Sequence, residues 1–257
     1  TNTSKTLLAS LVDSETVATE KTIGESSAKL ESALKQYLAS PEYTYKGLNE
    51  TTAKNYISSQ ALLHKGLNED NVNAALEKTH LILASVPTNP MALAQLCNLY
   101  AQKMYLTADK NYLSHANNAC NRANELAEGK PEVLFSLAQK SRRENNIDEA
   151  IAYYLDVLKV SPNYYSAYVG LTEGYLKQFL MTKSSEAMSL AKGSIVKAGE
   201  LAPNDWMIPF IEARLHYYEG NTSLALKKFE ESKKIEVTQN VLANLGSIYF
   251  CDGNIEA

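Results

Sequence analysis

From Leu134 to Asn163 the chain reads LFSLAQKSRRENNIDEAIAYYLDVLKVSPN. Its apolar positions, Leu134 and Leu137, then Ile151, Tyr154, Val157 and Leu158, recur at three- and four-residue spacings. That spacing predicts two helices with one apolar face each. Neither helix buries its face alone, so the two must pack as a hairpin. Asn145 and Asn146 make the turn, Asp148 sits near the positive end of the second helix, and Pro162 stops it. Small side chains at Ala138 and Ala150 let the backbones approach where the helices cross.

The same pattern returns along the chain. A shift of 75 residues superimposes Asn71, Asn146 and Asn221, then Ala75, Ala150 and Ala225, and pairs Pro87 with Pro162, Leu96 with Leu171, Tyr100 with Tyr175 and Thr107 with Thr182. Each 75-residue period holds two hairpins, which divides the chain into repeats at 56–89, 90–130, 131–164, 165–205 and 206–238, with a partial sixth in 239–257. The second and fourth are seven residues longer than a 34-residue unit, and the extra residues fall in KMYLTADKNYLSHA and QFLMTKSSEAMSLA. Thr107 and Thr182 are read there as N-caps, with the insertions lengthening both helices of each hairpin by about one turn. Residues 1–55 stand outside the repeats: a short hairpin or frayed segment at 1–25, a capping helix at 26–39 with Leu30, Leu34 and Leu38 in register, and then a loop. The sixth repeat, LGSIYFCDGN and onward to Ala257, is expected to leave an apolar face that a continuing chain or self-association covers.

These residues resemble the tetratricopeptide repeat (TPR). Leu134, Leu137 and Ala138 match the large, Leu, small triplet of its first helix, Ala150 and Tyr154 the A-x3-F pair of its second, and Pro162 its closing proline. The resemblance covers about residues 56–257 and implies an all-α, right-handed superhelical solenoid of antiparallel helix hairpins. It also implies a protein- or peptide-binding role, with the ligand held in a concave face lined by first helices.

Composition narrows the function. With 45% hydrophobic and 21% charged residues the chain is globular, and no apolar run is long enough for direct membrane insertion. A net charge of -4 argues against nucleic acid as the main partner. Catalysis finds little support: His64, His80, His115 and His216 stand far apart in sequence, and metal, P-loop, dinucleotide and nucleophile-elbow motifs are lacking. No cofactor or metal is expected. Gly170 and Gly174 form a G-x-x-x-G that reads as close helix packing.

Two further features stay open at this level. Cys97 and Cys120 fall on the two helices of one hairpin, either as buried thiols or as a disulfide, with Cys251 left over. Most of the 16 tyrosines fall on buried faces, whereas Tyr217 and Tyr218 lie past the buried positions of their helix. By the repeat resemblance, the exposed places of successive first helices are Phe135, Gln139, Arg142, Arg143, Glu173, Lys177, Arg214, Tyr217 and Tyr218. Arg142, Arg143, Lys177 and Arg214 make that face basic, which suits an acidic or C-terminal peptide of a partner protein.

The layout of LVDSETVATEKTIG, an amphipathic helix and then repeats of alternating length is similar to the C-terminal sensory regions of bacterial membrane-anchored regulators, the ToxR-type regulators and some Ser/Thr kinases. It implies a periplasmic sensory or interaction module, although most of the TolB-like α/β domain of those proteins is missing. The alternative is a free-standing scaffold for secretion or pilus biogenesis, cytoplasmic or lipoprotein-borne.

Overall fold

The structure, a computed structural model, describes residues 49–64 and 66–251. The expected hairpin at 1–25, capping helix at 26–39 and its loop lie outside the described residues, as does the end of the sixth repeat. Among the described residues every regular element is helical. The chain divides at Glu144/Asn145 into two compact units.

The first unit contains α1 (Glu50–His64), α2 (Glu69–Ser85), α3 (Pro90–Thr107), α4 (Asn111–Ala127) and α5 (Pro131–Arg143). Asparagines start three of these. Asn49, Asn68 and Asn89 each accept from the backbone N–H three residues on, at 3.0, 2.8 and 2.9 Å, satisfying donors that a helix start leaves orphaned. Pro90 and Pro131 open α3 and α5, where a missing N–H costs nothing. The core joins Val72, Ala75 and Leu76 of α2 to Leu96, Cys97 and Leu99 of α3 and to Ala119 and Cys120 of α4. A buried polar link runs beside it: the Ser59 hydroxyl of α1 donates to the Ala75 carbonyl oxygen at 3.0 Å and accepts from the Gln95 amide of α3.

The second unit contains α6 (Ile147–Val160), α7 (Tyr165–Thr182), α8 (Ser185–Leu201), α9 (Met207–Tyr218), α10 (Thr222–Ile235) and α11 (Gln239–Cys251). Its core packs Leu176 of α7, Met188 and Ile195 of α8, Ile211 and Leu215 of α9, Phe229 of α10 and Val241 and Leu245 of α11. Trp206, Phe210 and Phe229 meet edge to face at 5.5 and 5.6 Å between ring centres, the geometry that aromatic quadrupoles favour. Gly170 and Gly174 take the packing role expected of them, against Tyr154 and Ile151 of α6.

The 75-residue period has a local counterpart. The 18-residue helices α3 and α7 exceed α5 and α9, of 13 and 12 residues, so the inserted residues are helical. Thr107 and Thr182 do not start the following helices, which corrects the N-cap reading: they are the last residues of α3 and α7. Each hydroxyl donates to the carbonyl four residues back at 2.8 Å and accepts from the backbone N–H two residues on, at 3.3 and 3.2 Å. The next residues, Ala108 and Lys183, turn left-handed at φ 55° and 57°. The capping of α8 falls to Ser184, whose hydroxyl accepts from the Ala187 N–H at 3.3 Å.

Candidate functional site

In the first unit Phe135, Gln139, Arg142 and Arg143 all lie on α5 and are half-buried. Position 142 comes three residues after 139, one turn along the same face, and Arg142 Nη2 donates to Gln139 Oε1 at 2.9 Å. The Arg143 guanidinium lies over the Tyr105 ring of α3 at 4.6 Å, a cation held by the negative face of an exposed aromatic. Lys140 and Glu144 pair beside them at 2.9 Å.

In the second unit Glu173 and Lys177 lie on α7, and Arg214, Tyr217 and Tyr218 on α9. The structure brings two of the nominated residues onto each other: Arg214 Nη1 donates to Glu173 Oε1 at 3.2 Å, and the Arg214 guanidinium also lies 5.9 Å from the Phe210 ring centre. Arg214 is therefore not an uncompensated cation, which revises the sequence-based count of positive charge on this face. Lys177 is exposed. Tyr217 and Tyr218 are 42% and 39% exposed, with rings edge to face at 5.5 Å. The exposure expected of them at the end of their helix is what the structure gives.

One aromatic group in the first unit escaped the sequence reading. Histidines that are distant in sequence converge: His80 of α2 and His115 of α4 both meet the Tyr100 ring of α3, at 6.3 and 5.1 Å. Tyr112 stacks on Tyr100 at 6.1 Å, and the Tyr100 hydroxyl is 3.3 Å from His80 Nε2. Burial holds the Tyr100 phenol above its usual range; the Lys103 ammonium opposes that and Tyr112 adds to it. The i, i+3 pairs Tyr100 with Lys103 and Tyr112 with His115 carried the signal, since each places both members on one helix face. Among the described residues no group of three or more His, Cys, Asp or Glu could hold a metal, and no helix is long and apolar enough to cross a membrane.

Cys97 of α3 and Cys120 of α4 form a disulfide, with Cα atoms 5.0 Å apart. Of the two readings that the sequence left open, the structure takes the bonded one.

No protein-family model matches this chain, and no curated protein sequence matches it. Its fold is similar to solved structures. The Thermus thermophilus protein TTC0263, described as a thermophilic TPR protein, is 19% identical over 65% of this chain and 82% of its own, with a TM-score of 0.55. Human IFIT1, in a dimer with m7Gppp-AAAA, is 13% identical over 91% of this chain and 65% of its own, with a TM-score of 0.61. Yeast Tom70 is 13% identical over 93% of this chain and 45% of its own, with a TM-score of 0.53. This chain has a TPR-like, all-α helical-repeat fold.

Proposed function

We propose that this chain is a non-catalytic module that binds a protein or peptide, its ligand an acidic or C-terminal segment. The observation that carries the reading is that first-helix positions carry cations and partly exposed aromatic rings in each unit: Arg143 lies over the exposed Tyr105 ring in the first, where Arg142 shares its helix, and the second offers the exposed Lys177 on α7 and the exposed Tyr217 and Tyr218 on α9. Flat rings give contact area at low entropic cost, and the cations select sign. Arg214 already meets Glu173, and the test therefore falls on the other three cations of these positions, Arg142, Arg143 and Lys177. A net charge of -4 disfavours RNA as the ligand, whatever the IFIT1 likeness in fold.

The test is a titration with a labelled acidic peptide ending in a free carboxylate, across a range of salt. The Arg142→Ala, Arg143→Ala double variant and the Lys177→Ala variant are each expected to weaken binding and flatten the salt dependence. Unchanged affinity and salt slope in both, with melting preserved, would place binding elsewhere.

The module's setting follows from the same reading. The layout supports a periplasmic sensory region of a bacterial membrane-anchored regulator, and a disulfide suits an oxidising compartment. A fusion reporter that is active only outside the cytoplasm checks this. A cytoplasmic, free-standing product would favour the scaffold alternative.

A further inference from the structure

The second unit leaves open a notch that the first unit fills with its own side chains. At positions 75 residues apart the same bond ties a second helix to the first helix that follows. Lys103 Nζ donates to Asn73 Oδ1 at 2.7 Å in the first unit, and Gln178 Nε2 donates to Asp148 Oδ1 at 2.6 Å in the second. Beside this bond the first unit sets a ring: Tyr112 lies under Lys103 Nζ at 4.9 Å, stacks on Tyr100 and meets His115 at 6.4 Å. In the 75-residue register Tyr112 corresponds to Ala187 and His115 to Leu190. A methyl thus stands where the ring stands, and a concavity of about 760 Å³ opens there.

Its lining has one sign of charge. Ile147, Met181 and Leu190 form the apolar part, and Asp148, Glu149 and Glu186 bring carboxylates, with no Lys, Arg or His among the lining residues. Met181 and Leu190 are 64% and 44% exposed and line the same concavity, so the apolar surface here is shared by two helices. The overhang has a simple origin: α7 and α8 carry the inserted turn and run past the start of the shorter α6.

The filled notch shows what fits the open one. In the first unit an ammonium sits between an amide oxygen and a ring face; in the second the acceptor is a carboxylate and the ring is missing. We propose that the notch docks a segment of a partner protein that presents an aromatic side chain next to a lysine or arginine. The ring takes the place that Tyr112 takes in the first unit, against Met181 and Leu190, and the cation meets Asp148, Glu149 and Glu186. This preference is opposite in sign to that of the first-helix faces, so the two sites stand or fall separately.

The test uses fluorescence anisotropy with a labelled Gly-Lys-Tyr-Lys-Gly peptide, a counterpart with Glu for both Lys, and a counterpart with Gly for Tyr. Only the first is expected to bind. The Glu149→Gln, Glu186→Gln double variant, with both changes at exposed positions, should weaken it about five- to tenfold. Ala187→Tyr, which transplants the first unit's ring, should abolish binding; because Ala187 is buried, its melting curve is measured beside the glutamine pair. Lys159→Ala, an exposed change outside the lining residues, should bind the peptide as the parent does. No binding of the basic aromatic peptide, equal binding of either counterpart, or unchanged affinity in the glutamine pair would overturn the proposal.

Discussion

Tyr154 occupies the space that a side chain on residue 170 would need. A Cβ built on Gly170 of α7 would come to 2.3 Å from Cζ of the Tyr154 ring of α6, and one turn further Gly174 faces Ile151, whose Cγ1 would be 2.9 Å from an added Cβ. The ring is fully buried and has no room to retreat. Glycine normally weakens a helix, and here that cost is the condition for two helices to touch.

Gly170→Ala should therefore lower stability by about 1–3 kcal/mol despite the gain in helix propensity. Gly193→Ala is the control: Gly193 is exposed on α8 with nothing within 4 Å of an added Cβ, so the change should raise stability by about 0.5–1 kcal/mol. Chemical denaturation of the two variants compares them directly. A neutral Gly170→Ala would show that the helices separate at no cost.

The Cys97–Cys120 bond closes a loop with a sequence separation of 23, which corresponds to about 3 kcal/mol of restriction on the unfolded chain. The equivalent residues of the second unit are Thr172 and Ile195, both buried, so this kind of hairpin packs without a disulfide. Reduction should lower the stability of the first unit without abolishing its helices, as read by circular dichroism during denaturant titration. Denatured protein kept from reductant should show one titratable thiol of its three cysteines. Three would mean that the bond does not form in solution.

The Tyr165 phenol is held well above its ordinary value of 10.0, first by burial and then by the nearby Asp205 carboxylate. In the unfolded chain the phenol loses its proton near the ordinary value; in the folded chain it keeps it to higher pH. Stability is thus unaffected below about pH 10 and falls as pH rises from there through the folded value. Tyr165→Phe should remove part of that alkaline loss. Equal slopes for parent and variant above about pH 10 would assign the loss to other groups.

Arg214 and Glu173 join α9 to α7 at 3.2 Å with side chains 26% and 22% exposed. A double-mutant cycle with Arg214→Ala and Glu173→Ala should give a coupling of about 0.5–1 kcal/mol, at the upper end for a partly exposed pair. Zero coupling, together with an Arg214→Ala loss in acidic-peptide affinity, would return Arg214 to the binding face.

The sequence by itself determined the helices and their pairing. Spacing at Leu134, Leu137, Ile151 and Tyr154 depends only on helical pitch, and Asn145, left-handed at φ 66°, makes the turn that the chain announces. The self-match at 75 residues is likewise a property of the chain, because each hairpin must offer its neighbour the same apolar faces. Thr107 and Thr182 were legible as equivalent but not as helix ends. A hydroxyl serves equally well by accepting at a helix start or by donating to a carbonyl one turn back, and only the path of the backbone chooses.

Tertiary structure decided which side chains meet. Glu173 and Arg214 are 41 residues apart, His80 and His115 are 35 apart, and Cys97 could have faced Cys120 as a thiol or as half of a disulfide. Such meetings depend on where two helices cross, and a shift of one residue turns a side chain about 100° away. The open notch beside Ala187 is of the same kind. A single alanine in the place of Tyr112 says little as a letter, and becomes a concavity only where α7 and α8 overrun the start of α6.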